Sequence, residues 1–159
     1  MRLKPDYNLE SIYHIDLAEL KSLGIKAILF DLDSTLMASH AGCYSSETLV
    51  WLEHVRKDFF IGVVSNNGDP AYTEKVRSVS DFPVLFDAKK PDPKLIRRFM
   101  HEHGLNAQNT VLAGDRPLTD ILCGKNLGCK TILVDSITAK TENRLTRFVR
   151  KLERLFISD

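Results

Sequence analysis

Four short apolar runs recur along the chain, each leading into a polar or glycine-containing turn: Ala27-Ile28-Leu29-Phe30, Ile61-Gly62-Val63-Val64, Val111-Leu112-Ala113 and Thr131-Ile132-Leu133-Val134. Val84-Leu85-Phe86 is a weaker fifth. None alternates cleanly between apolar and polar, which is the pattern of strands buried on both faces, as in a parallel sheet. Between the runs lie stretches with helical spacing. Residues 47–57 carry Leu49, Val50, Leu52 and Val55; residues 93–103 carry Leu95, Ile96, Phe99 and Met100 and meet Gly104; residues 117–127 meet Gly128. A further helix is expected to start near Pro70. Glycine just past the last periodic residue suits a helix C-terminus. The alternation predicts a three-layer, Rossmann-like α/β domain with right-handed crossovers and a parallel sheet of about five strands.

Ligands of such sheets gather at the carboxyl ends of the strands, so the residues after each run are the ones to read for chemistry. Asp31-Leu32-Asp33 follows the first run; carboxylates at i and i+2 leave a strand on one side. Like charges that close are costly unless something neutralises them. Mg²⁺, which favours one or two carboxylates with phosphate and water, would do so. Two solvated turn aspartates are the plain alternative. Ser65-Asn66-Asn67-Gly68 follows the second run and offers a hydroxyl and backbone N–H groups for phosphate oxygens, or is an ordinary polar turn. Lys89-Lys90-Pro91 offers a lysine to stabilise charge on a phosphoryl group, or is a solvated basic turn before a helix. Gly114-Asp115 could complete a cation site or cap the next helix, with Asp120 one turn further on, placed to orient a ligand or lysine. Each signal is modest; their succession at four strand ends is what points to phosphoryl chemistry.

Bulk properties narrow the class. The chain has 159 residues, 43% hydrophobic and 27% charged, with a mean hydropathy of −0.16, ordinary for one globular domain. No apolar run nears the ~20 residues that span a bilayer, and no signal-peptide stretch is visible. Three cysteines (Cys43, Cys123, Cys129) with no Cys-x-x-Cys fit a reducing, cytoplasmic setting. A net charge of +1 excludes a strong general pull toward nucleic acid. The charge is unevenly spread: residues 140–159 hold six Lys/Arg against three Asp/Glu.

The motifs Ile28 through Leu36, Val63-Val64-Ser65-Asn66-Asn67, Lys90-Pro91 and Gly114-Asp115 with Asp120 resemble those of the haloacid dehalogenase (HAD) superfamily of phosphatases. Leu3-Lys4-Pro5-Asp6, Asp87-Ala88-Lys89-Lys90-Pro91 and Gly114-Asp115-Arg116 through Gly128 are similar to its YqeG-type (subclass IIIA) branch, which includes phosphatidylglycerophosphate phosphatases. One departure is Ser34, where that branch usually has Asn. The resemblance implies a magnesium-dependent phosphoric monoester hydrolase. It makes Asp31 the nucleophile that forms an aspartyl-phosphate and Asp33 the general acid and base. Ser65 and Lys90 would hold the transferring group, with Thr35 and Asn66 as further phosphate contacts. Asp31, Asp115 and the Asp33 backbone carbonyl would hold Mg²⁺. Lys89 is the alternative lysine and Asp120 a supporting residue.

The spacing speaks to the substrate. Thirty-two positions separate Asp33 from Ser65, and 25 separate Ser65 from Lys90; helices and strands use up both, leaving no room for a cap domain. The chain is therefore expected to be a single domain: a lead-in over 1–24, a catalytic core over 25–135 and a basic amphipathic helix over 140–159. Its site should be open to a large or membrane-borne phosphomonoester. In the terminal helix Leu145, Phe148, Val149, Leu152, Leu155 and Phe156 form a stripe, and Arg144, Arg147, Arg150, Lys151 and Arg154 crowd the rest. Two readings stay open: the stripe packs on the sheet beneath a solvated basic face, or the helix contacts anionic lipid at the inner face of a membrane. Together with the resemblance, these features lead to dephosphorylation of phosphatidylglycerophosphate. The alternatives are a phosphatase for a soluble sugar or nucleotide monophosphate, or a non-catalytic scaffold on the same fold. Oligomeric state is not legible.

Overall fold

The computed structural model describes residues 2–137 and 144–158. Six strands form one sheet: β1 (Tyr7–Leu9), β2 (Ala27–Phe30), β3 (Phe60–Val64), β4 (Val84–Leu85), β5 (Thr110–Gly114) and β6 (Lys130–Val134). Their order is β1-β6-β5-β2-β3-β4, and every pairing is parallel. The count is one above the expected five. The addition is β1, whose three residues are only partly covered and carry no apolar run. Successive residues of β2 serve opposite faces: Ile28 and Phe30 join one apolar cluster, Leu29 the other. That two-sided burial is why the run does not alternate in polarity.

Helices α1 (Leu17–Ser22), α2 (Ser46–Arg56) and α3 (Pro70–Val79) cover one face through Leu20, Leu52, Val55 and Val76. Helices α4 (Lys94–Glu102) and α5 (Leu122–Leu127) cover the other through Ile96, Phe99, Met100, Cys123 and Leu127. Side-chain oxygens start three of them: Asp16 accepts from the Glu19 amide, Ser45 from the Thr48 amide and Asp69 from the Tyr72 amide, satisfying donors that a helix start leaves unpaired. The expected helix over 117–127 is in fact two pieces. Pro117–Ile121 forms a wide π-type turn before α5, and Gly128 at φ +79° closes α5. The wide turn carries Asp120 inward to full burial; such turns recur at functional sites.

The chain winds from β2 toward β3 on one side and returns as β5 on the other. This reversal leaves a crevice at the carboxyl ends of β2 and β5, which are adjacent strands. Asp31 and Asp115 follow those two strands and so come side by side. No cap domain interrupts the segments between β2 and β3 or between β3 and α4.

Helix α6 (Arg144–Arg154) is the described part of the basic terminal segment; positions 140–143 and 159 lie outside the described residues. It corrects the first reading of that segment. The apolar stripe does not pack on the sheet: Leu145, Phe148, Val149 and Leu152 are all exposed. Part of the basic side, Arg150 and Arg154, turns inward, because what lies beneath is acidic, while Arg144, Arg147 and Lys151 stay exposed. Arg150 pairs with Asp115, Arg154 with Asp135 at 2.8 Å, and Arg116 reaches up to Glu153 at 3.0 Å. Beyond the helix, Ile157 bridges to Leu3.

Candidate active site

Asp31 leaves β2 with its Oδ1 at 2.7 Å from Lys90 Nζ, and the same ammonium lies 2.7 Å from Asp120 Oδ1. The Lys90 and Asp120 side chains are 2% and 1% exposed, so each charge depends on the others for its solvation. Burial alone would lower the pKa of Lys90, but Asp120 and Asp31 outweigh it and hold the group above its ordinary range. Burial and the neighbouring Asp31 charge push the Asp120 carboxyl up to about 6, against the pull of Lys90. Asn66 fixes the lysine from behind: its Nδ2 donates to the Lys90 carbonyl at 2.9 Å and its Oδ1 accepts from the Lys90 amide at 2.8 Å. The expected phosphate contact at Asn66 is thus a side chain already engaged with Lys90's backbone. Lys89 is turned out to the surface, 2.8 Å from Asp87.

Asp115 is buried and accepts from Thr35 Oγ1 at 3.0 Å. Thr35, expected at the phosphate, spends its hydroxyl on orienting this carboxylate. Ser65 is buried at the end of β3, its Oγ accepting from the Asn67 amide at 3.1 Å. Asp33 keeps its carboxylate apart from the others, where Oδ1 accepts from the His40 amide at 2.9 Å and from the Tyr72 hydroxyl. Burial, then Asp33 itself, raises the Tyr72 pKa, so the phenol stays a donor. Tyr72 was missed from sequence: it is an ordinary helix residue 39 positions from Asp33, joined to it only by the fold. Arg150 and Arg116 were missed for the same reason.

Asp31, Asp115 and Asp120 each offer an oxygen, all within 4.8 Å of one another. A hard, all-carboxylate donor set suits Mg²⁺. The fit is supported by what the protein itself brings there: two cations, Lys90 and Arg150, reach these three carboxylates, so the spot demands positive charge. Asp31, Asp33, Ser65, Asn66 and Lys90 line a cavity of about 610 Å³, and Thr146 and Arg150 of α6 form another part of its wall. A phosphate group with a sizeable alcohol fits such a volume.

A doubly wound sheet with a carboxylate at the end of β2, a buried lysine beside it and three clustered carboxylates at its crevice has the arrangement of a HAD-type phosphohydrolase. The chain belongs to the HAD superfamily of phosphatases and is a phosphoric monoester hydrolase. The HAD-hydrolase-like family matches residues 88–152. The probable phosphatase YqeG of Bacillus subtilis is 32% identical over 97% of this chain and 89% of its own. Phosphatidylglycerophosphate phosphatase 1, chloroplastic/mitochondrial, of Arabidopsis thaliana is 26% identical over 94% of this chain, which spans 45% of that protein. Among solved structures, a HAD-like hydrolase of Porphyromonas gingivalis aligns with a TM-score of 0.58 at 14% identity, over 81% of this chain and 98% of its own.

Proposed function

We propose that the protein is a Mg²⁺-dependent phosphatase that removes the terminal phosphate of phosphatidylglycerophosphate, working peripherally at the inner face of a membrane. The observation that carries the chemistry is the Asp31–Lys90–Asp120 ion-pair chain beside Asp115. The substrate reading is supported by similarity along nearly the whole chain to relatives named for that lipid, and by the lack of a cap domain over the cavity.

In this reading an Asp31 carboxylate oxygen attacks phosphorus and the bond to the leaving alkoxide breaks. Asp33 gives that alkoxide its proton. Asp33 then takes a proton from water, which attacks the aspartyl-phosphate and releases inorganic phosphate with Asp31 restored. Lys90, 2.7 Å from Asp31, orients that carboxylate and balances charge on the phosphoryl oxygens, aided by the Ser65 hydroxyl. Asp31, Asp115 and the Asp33 carbonyl, with Asp120 in support, would hold Mg²⁺, which when bound would neutralise charge between nucleophile and phosphate. The Tyr72 hydroxyl and His40 amide hold Asp33 in place for both proton transfers.

The test is Mg²⁺-dependent phosphate release from phosphatidylglycerophosphate in mixed micelles, run beside soluble sugar and nucleotide monophosphates. Higher kcat/KM on the lipid is expected; a clear preference for the soluble esters would overturn the substrate. Asp31→Asn should abolish turnover of every substrate. If it left turnover unchanged, the nucleophile would be wrong, and no turnover of any monoester by the parent chain would favour a scaffold.

A further inference from the structure

Helix α6 turns its apolar side away from the protein. Leu145 is 72% exposed, Phe148 58% and Leu152 43%, and Leu155 and Phe156 continue the apolar surface past the helix end. The opposite side is fixed by ion pairs of Arg150, Glu153 and Arg154 with Asp115, Arg116 and Asp135. These pairs decide which side faces the site and leave the stripe exposed among the described residues. Amphipathic helices on globular proteins ordinarily sit the other way round, and a contiguous exposed apolar face marks an interaction surface. Arg144, Arg147 and Lys151 are exposed along one border of the stripe.

We propose that the outer face of α6 docks on an anionic lipid bilayer. The apolar residues enter the boundary between headgroups and acyl chains, and the Arg144, Arg147 and Lys151 border lies against anionic headgroups. The choice of a membrane setting rests on the phospholipid-phosphatase reading; the orientation of the helix does not. Two features favour a bilayer over a second copy of the chain. An eleven-residue helix presents a face of roughly 16 Å by 10 Å, about 160 Å², whereas stable dimers bury about 800 Å² per partner. Pairing two such faces also gathers their basic borders, and like charges repel, while anionic headgroups neutralise them. Thr146 and Arg150 line the catalytic cavity from the inner side of the same helix. The cavity therefore lies about one helix diameter, ~10 Å, from the docked surface, within reach of a phosphate on a lipid headgroup.

The experiment is sedimentation of the full chain with vesicles of phosphatidylcholine alone or mixed with phosphatidylglycerol, neither containing substrate. Binding is expected only to the anionic vesicles, weakening with salt. Leu145→Asp with Phe148→Asp should weaken it by about 10-fold or more. That variant should keep the parent's melting temperature and its turnover of a soluble ester, since both side chains project away from the core and the cavity. Equal binding to neutral vesicles, no binding by the parent chain, or unchanged binding by the variant would overturn the proposal. A dimer seen by light scattering that the variant dissolves would overturn it too, by assigning the face to a second copy. Lipid turnover in micelles without vesicle binding removes the docking surface and leaves the substrate standing; vesicle binding without lipid turnover does the reverse.

Discussion

Ser34 occupies the left-handed region at φ +68°, a conformation that costs most L-residues about 1–2 kcal/mol and Asn less. This explains why the branch it resembles usually carries Asn here, a demand that the residue alone does not reveal. Ser34→Asn is expected to raise unfolding free energy by up to about 1 kcal/mol, read as a higher urea midpoint at constant slope. Gly114 answers a demand of space. A Cβ there would fall 2.3 Å from the Asp120 carboxyl carbon, so only glycine lets Asp120 fold back against the end of β5. Gly114→Ala should cost about 1–3 kcal/mol of stability and displace Asp120 from Lys90, lowering kcat more than it raises KM. Tyr72→Phe removes one of two donors to the Asp33 carboxylate among the described residues and should lower kcat about 10-fold with little change in KM; an equal rise in KM would mean that the phenol touches substrate instead. Asp31 was legible because it follows an apolar run directly and Asp115 because it stands one glycine past another; Lys90, four residues beyond Phe86 and next to Lys89, was legible only through its motif. Tyr72 and Arg150 were not, because their partners are brought to them by packing.

At the scale of elements, the parallel strands were the most readable part, since burial on both faces writes itself as an uninterrupted apolar run. The terminal helix was half readable. Its two-sided composition was plain, but amphipathicity says only that the sides differ, and assigning the apolar side to the core presumes an apolar surface to receive it. Here the surface offered is the acidic rim made by Asp115 and Asp135, so charge decides the facing. The loop before α4 makes the sharpest prediction at this scale. It delivers Lys90 between two carboxylates, and Lys90→Met would leave the buried Asp120 and the partly buried Asp31 without this counter-charge. A loss of about 3–5 kcal/mol is expected for breaking a buried pair from one side, with a melting temperature that Mg²⁺ partly restores. Failure of Mg²⁺ to raise the melting temperature of either protein would argue against the carboxylate cradle.

For the whole molecule, the two-face core sets how the chain responds to alkali. Burial pushes the Cys123 thiol up to about 12 and the Cys129 thiol up to about 11 from a usual 9. The unfolded chain therefore loses these protons first as pH rises above about 9, and stability present below that pH should decline between about pH 9 and 12. In the native protein at pH 8 a disulfide-exchange reagent should titrate one thiol, the exposed Cys43, and all three after denaturation. The sheet's outline has a further consequence. Its outermost strands, β1 and β4, are three and two residues long, while the four between them hold the longer ladders. A growing cross-β aggregate needs an extended free edge to copy, and these two stubs offer almost none. The native fold is thereby shielded from edge-to-edge stacking even at crowded concentrations.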